Sequence, residues 1–326
     1  MVVNYLRDLC RAAIDGWNRF WFTPSSPETL CAIRVLTGLM LVYTHLVWSL
    51  DLEGFFGEQG RLSTEFVAAY HNVSHGDAAW LAWSHLFRIQ SSTGLWFAHL
   101  VAMAVLLLFT LGLFTRVTSA LAYLITVSYA HRATGALFGL DQINSLLAMY
   151  LVLGPAGDCY SLDRWWSARH NRLKELRPRV SVTIAIRLIQ LHLCIIYLFA
   201  GLGKLFGATW WDGTALWEAF ANYEYQTLDM TWLAWHPLVV NALCQFTVAW
   251  EVAYVALVWP KWTRPLVLAA AVPLHLGIAF CMGMITFGLV MLIANLSFVS
   301  PQITRDVVRS CRRRRIDTSQ SRSRHG

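Results

Sequence analysis

The sequence predicts an all-α fold: a polytopic integral membrane helix bundle of about eight transmembrane helices, preceded by an N-terminal interfacial amphipathic helix. Three observations predict it. Of 326 residues, 56% are hydrophobic and only 14% charged, where a soluble domain is about 25% charged. Mean hydropathy is +0.46. Apolar runs of roughly 20 residues recur, the length that ~1.5 Å per residue requires to cross a ~30 Å hydrocarbon layer. Sixteen Trp and 17 Phe add residues that favour membrane interfaces. Disorder, a soluble sandwich and a secreted disulfide scaffold are excluded. The +7 net charge, which in a soluble chain would suggest nucleic acid, is here a matter of distribution, and no nucleic-acid partner is expected.

The elements follow in order. In residues 1–27, Leu6, Leu9, Ala13, Trp17 and Phe20 recur at helical spacing, and charges at Arg7, Asp8, Arg11, Asp15 and Arg19 interrupt any signal-peptide core. That predicts a helix lying on the membrane surface. Residues 28–300 form one transmembrane domain. Spans are expected at 29–50, 92–114, 183–205 and 237–259. Shorter ones at 265–282 and 284–299 join at Gly283. Segments 117–130 and 142–153 are brief: a tight hairpin, or helices extended by polar residues that face protein. Residues 301–326 are a basic tail.

Orientation follows from Lys and Arg. With the amino terminus in the cytoplasm, 20 of the 26 fall in cytoplasmic segments and three (Arg61, Arg88, Arg132) in outside loops. Both termini are therefore expected in the cytoplasm. The outside loop 206–236 carries four acidic residues, five Trp and no Lys or Arg, which suits a cap over a site opening outward.

Polar residues inside spans mark candidate sites. Arg34 and Arg187, near span ends, read as snorkelling side chains. Lys204 lies at the outer end of its span, after Gly201 and Gly203, which permit close helix approach. Desolvation favours a neutral amine, the form in which lysine acts as a base; interfacial anchoring is the plainer alternative. His45, His99, His192 and His275 read as hydrogen-bonded core residues rather than haem ligands. His71 and His75 have i,i+4 spacing suited to one metal, but a single such pair predicts no metal site. The seven cysteines contain no CxxC pair.

Several segments resemble one family in order: Ala32-Ile-Arg34, Phe55-Phe-Gly-Glu-Gln-Gly-Arg-Leu62, His131-Arg132, Asp158-Cys-Tyr-Ser-Leu-Asp163, the stretch from Tyr197 through Gly201, Lys204, Trp210 and Trp211 to Gly213, and His275-Leu-Gly. The set is similar to the horizontally transferred transmembrane (HTTM) domain of the vitamin K-dependent gamma-glutamyl carboxylases. The resemblance implies a multi-helix membrane fold with a reduced, vitamin K-like quinone as cofactor. It places Lys204 as the base that deprotonates the quinol; around that base, the sequence offers His275 as a catalytic partner and Tyr197, Gly201, Trp210 and Trp211 as cofactor-binding residues. It implies a lyase- or oxygenase-type carboxylation if the chain is an enzyme. Gly203 stands where the vertebrate enzymes have a second lysine, and 26 residues follow Ser300, so the carboxylases' lumenal route to a protein substrate is not expected. The expected partners are membrane lipid and a lipophilic ligand. The alternative is a non-enzymatic membrane protein, transporter-like or a structural subunit.

Overall fold

The computed structural model describes residues 1–172, 175–224 and 226–322. Helix accounts for 78% of the chain. Among the described residues there is no strand, only one isolated bridge between Ser25 and Arg179. The α-helices in chain order are α1 (Val2–Phe22), α2 (Glu28–Ser49), α3 (Leu52–Phe56), α4 (Thr64–His75), α5 (Ser92–Leu111), α6 (Thr115–Arg132), α7 (Gly139–Leu153) and α8 (Leu162–Arg169). They continue with α9 (Val180–Leu205), α10 (Ala208–Asp212), α11 (Ala215–Ala221), α12 (Pro237–Leu257), α13 (Arg264–Cys281), α14 (Ile285–Asn295) and α15 (Pro301–Arg322).

Five of these, α2, α5, α9, α12 and α13, are long and apolar enough to cross a membrane, which is compatible with a multi-pass membrane protein. The pattern of exposure agrees. Helix α6 exposes Val117, Leu121 and Leu124 while burying Thr115, Thr118, Ser119, Thr126 and Ser128. That is the reverse of a helix facing water and suits one facing lipid, where polar groups turn to protein for partners. The same burial explains its length. The brief apolar stretch at 117–130 is extended to 18 residues by polar side chains that face inward.

The chain forms two compact units. One comprises residues 1–136, 145–187 and 299–326; the other comprises 137–144 and 188–298. In the first unit α5 packs against α2 and α6, and α15 packs on α2. Helix α1 leaves Leu6, Leu9 and Trp17 exposed along its apolar face. At its other end, the Arg187 guanidinium lies 4.3 Å above the Phe20 ring, and its Nε donates to the Phe20 carbonyl.

Arg34 does not snorkel. It is fully buried. Its Nη1 donates to the carbonyls of Phe109 (2.7 Å) and Thr110 (2.9 Å), and its Nη2 to that of Tyr160. Phe109 and Thr110 end α5, where four carbonyls lack helical partners and the helix dipole is negative. The guanidinium therefore caps α5 and ties it to the 154–161 turn. Arg132 works alike, donating to the carbonyls of Leu62 and Gly57.

Asp163 closes the same corner. Its carboxylate accepts from the amides of Phe114 (2.8 Å) and Thr115 (2.9 Å) and from the Thr115 hydroxyl (2.8 Å), capping α6. On the other side of α2, Arg305 of α15 forms an ion pair with buried Glu28, and Thr304 shares a hydrogen bond with Thr29.

Three histidines of this unit hold hydrogen bonds to neighbouring elements. His71 Nε2 donates to the His131 carbonyl (2.8 Å). His99 bonds to the Tyr129 hydroxyl and to Ser49. His85 lies against Ser128 Oγ at 2.6 Å, and burial pulls its pKa down, keeping the imidazole neutral.

In the second unit, the end of α9 meets α10, α12, α13 and α14. Ala215, Leu233, Val240 and Cys244 form a small core, with Trp210, Trp217 and Phe220 against it. Residues 206–236 are thus folded, as α10, α11 and a 3₁₀ turn at Thr231–Trp235.

Candidate functional site

The second unit holds a cavity of about 550 Å³, within the range of small-molecule sites. Its walls come from the end of α9, from α10–α14 and from the 231–235 turn. They are mainly apolar, with Phe220, Met230, Leu243, Phe246 and Phe287 among them. Pro273, within α13, and Gly277 also line it. Lys204 and Glu251 are the charged residues of the lining. Thr247 also lines it, but its hydroxyl is turned onto the Leu243 carbonyl at 2.8 Å.

The pair exists because α9 and α12 come very close. A side chain at Gly201 would place its Cβ 3.0 Å from the Val252 amide nitrogen and 3.1 Å from Glu251 Cβ. One turn later, Lys204 Nζ donates to both carboxylate oxygens of Glu251, at 2.7 and 2.9 Å. The Lys204 side chain is 22% exposed and that of Glu251 8%. Trp210 lies beside the ammonium, its ring centre 5.2 Å from Nζ. Gln245 Nε2 donates to the Trp210 carbonyl (2.9 Å), fixing α10 against α12.

A second polar group lies in this unit, outside the lining. Tyr197 Oη and His275 Nε2 are 2.5 Å apart. Asn295 Nδ2 donates to Tyr197 Oη (2.9 Å) and to the Met291 carbonyl, while Tyr254 Oη donates to Asn295 Oδ1 (2.8 Å). The Met291 carbonyl fixes the amide orientation, because only an N–H can face it. Tyr197 therefore accepts from Asn295 and gives its own proton to His275 Nε2. The histidine carries its proton on Nδ1, which has no hydrogen-bond partner among the described residues.

The structure thus brings Lys204 and Trp210 together at the cavity, and Tyr197 and His275 together outside its lining. Gly201 serves the helix crossing. Trp211 lies outside the lining too; it is 61% exposed, and its Nε1 donates to the Leu205 carbonyl. Sequence reasoning missed Glu251, Tyr254 and Asn295. The signal for Glu251 was present: a lone carboxylate within an apolar span is as costly as a lone ammonium. Among the described residues no group of three His, Cys, Asp or Glu is placed to hold a metal ion. No protein-family model, no curated protein and no solved structure matches the chain.

Proposed function

We propose that this is an HTTM-like integral membrane protein whose cavity binds a lipophilic quinol, with Lys204 as candidate base and Glu251 as its proton partner. The observation that carries this reading is the Lys204–Glu251 pair set in the wall of an otherwise apolar cavity. A greasy ring and tail suit those walls, and a hydroxyl suits the pair. When Lys204 leaves its proton on Glu251, the free amine takes the proton of the ligand hydroxyl: the ligand O–H bond breaks, a Lys204 N–H bond forms, and the quinol is left as its anion. A carboxylase-like use of that anion rests on the resemblance alone.

The test is chemical. Solvent extraction of the purified full chain should yield a quinone near one per protein, identified by mass spectrometry. The Lys204→Met/Glu251→Gln double variant should yield little. Wild-type protein that carries no quinone and shows no saturable binding of added quinol would overturn the reading.

One observation favours a second, non-enzymatic reading, as a transporter-like or structural subunit. Both carboxylate oxygens rest on the ammonium, the arrangement of a stable ion pair, and a protonated lysine is no base. Turnover of a bound quinol, present or absent, separates the two.

The proposed topology has about eight spans, α6, α7 and α14 joining the five long helices, with both termini cytoplasmic. The Lys and Arg asymmetry supports it. Cysteines placed at Ser74 and at Ser319, in a background without the exposed Cys10 and Cys311, should label from opposite sides of the membrane. Labelling from one side sinks the arrangement.

A further inference from the structure

We infer that the cavity selects uncharged, hydroxyl-bearing long-chain molecules and rejects their carboxylate counterparts, and that Glu251 is the residue that sets this selection. The inference rests on the cavity assigned above to a quinol and deepens that reading.

The charges of the lining sum to zero. Lys204 Nζ is within 2.9 Å of both Glu251 oxygens. Any head group that reaches the ammonium is therefore also beside the carboxylate. An anionic head gains attraction from Lys204 and meets comparable repulsion from Glu251. Nothing then offsets the loss of its hydration on entering walls made of residues such as Leu243, Phe246 and Phe287. A cationic head faces the mirror problem at Lys204.

A hydroxyl meets neither obstacle. An ammonium has three N–H donors, and two are used by Glu251. The third is left for a ligand oxygen. The Glu251 oxygens retain unused lone pairs for the ligand O–H. The pair thus offers one donor and one acceptor side by side, which a hydroxyl satisfies at once.

The test uses a chain-matched pair of ligands on the full chain in maltoside micelles at pH 8.5, by scintillation-proximity binding of tritiated hexadecanol and tritiated palmitate. Wild type should bind hexadecanol at least tenfold more tightly than palmitate, and decylubiquinol should compete for the alcohol. Glu251→Gln leaves Lys204 unpaired and should raise palmitate affinity at least tenfold. Glu251→Asp keeps the charge and should keep the wild-type order. If Glu251→Gln does not fold, Lys204→Met/Glu251→Gln serves instead: it should weaken hexadecanol about tenfold without admitting palmitate. Equal affinities in wild type, no binding of the alcohol, or an unchanged ratio in Glu251→Gln would overturn the inference. Decylubiquinol binding alongside equally tight palmitate brings down the selectivity alone. Failure of decylubiquinol to bind brings down the quinol reading itself.

Discussion

Replacing Arg34 by lysine should destabilise the folded chain by about 2–4 kcal/mol, and replacing it by methionine should cost a similar amount. Lysine keeps the charge but not the fork. One ammonium cannot reach the carbonyls of Phe109 and Thr110 at the end of α5 and that of Tyr160 in the 154–161 turn, which the two guanidinium arms reach together. Carbonyls left without donors in a buried place cost about 1–3 kcal/mol each. Methionine strands all three, yet removes the burden of a buried charge, which brings the two substitutions close. Unfolding midpoints in dodecyl maltoside, by heat or by added dodecyl sulfate, should fall for both. Lysine at wild-type stability would show that the side chain needs only its charge, as a snorkelling residue does.

This case shows where the sequence was legible. A basic residue near the end of a span reads as snorkelling when no acidic partner is in view. The partners of Arg34 are backbone carbonyls, which carry no side-chain signature and become partners only when α5 ends where it does. Apolar length alone placed the long helices: the expected 92–114 and 183–205 are the helices Ser92–Leu111 and Val180–Leu205. Helix α6 was harder, because the Thr and Ser residues that lower its hydropathy are the ones it buries. In the 206–236 loop, five tryptophans looked like one interfacial set. Folding divides them: Trp210 and the exposed Trp232 line the cavity, while Trp211 and Trp235 are exposed outside its lining. At the site, Lys204 was legible as a charge out of place. Its meaning depended on Glu251, 47 residues away, brought beside it by the close packing at Gly201.

That partnership sets the last expectation. Judged by hydropathy, Lys204→Met should help a spanning helix, since methionine is far better tolerated there than an ammonium. The pair reverses the sign. Removing one member of a buried ion pair typically costs 3–5 kcal/mol, because the other charge is stranded. Lys204 is partly open to solvent, so the low end applies: Lys204→Met should cost about 3 kcal/mol. Glu251→Gln should cost less, about 1–2 kcal/mol, because the ammonium it strands is 22% exposed and can recruit water, whereas Glu251 is only 8% exposed. The double variant strands nothing. It should cost at most about 1 kcal/mol relative to wild type, giving a coupling of roughly 3–5 kcal/mol between the two sites. Equilibrium unfolding of the four proteins in mixed micelles measures all three differences. If Lys204→Met is as stable as wild type, the contact does not hold the fold together, and the lysine is an interfacial anchor whose neighbour is incidental.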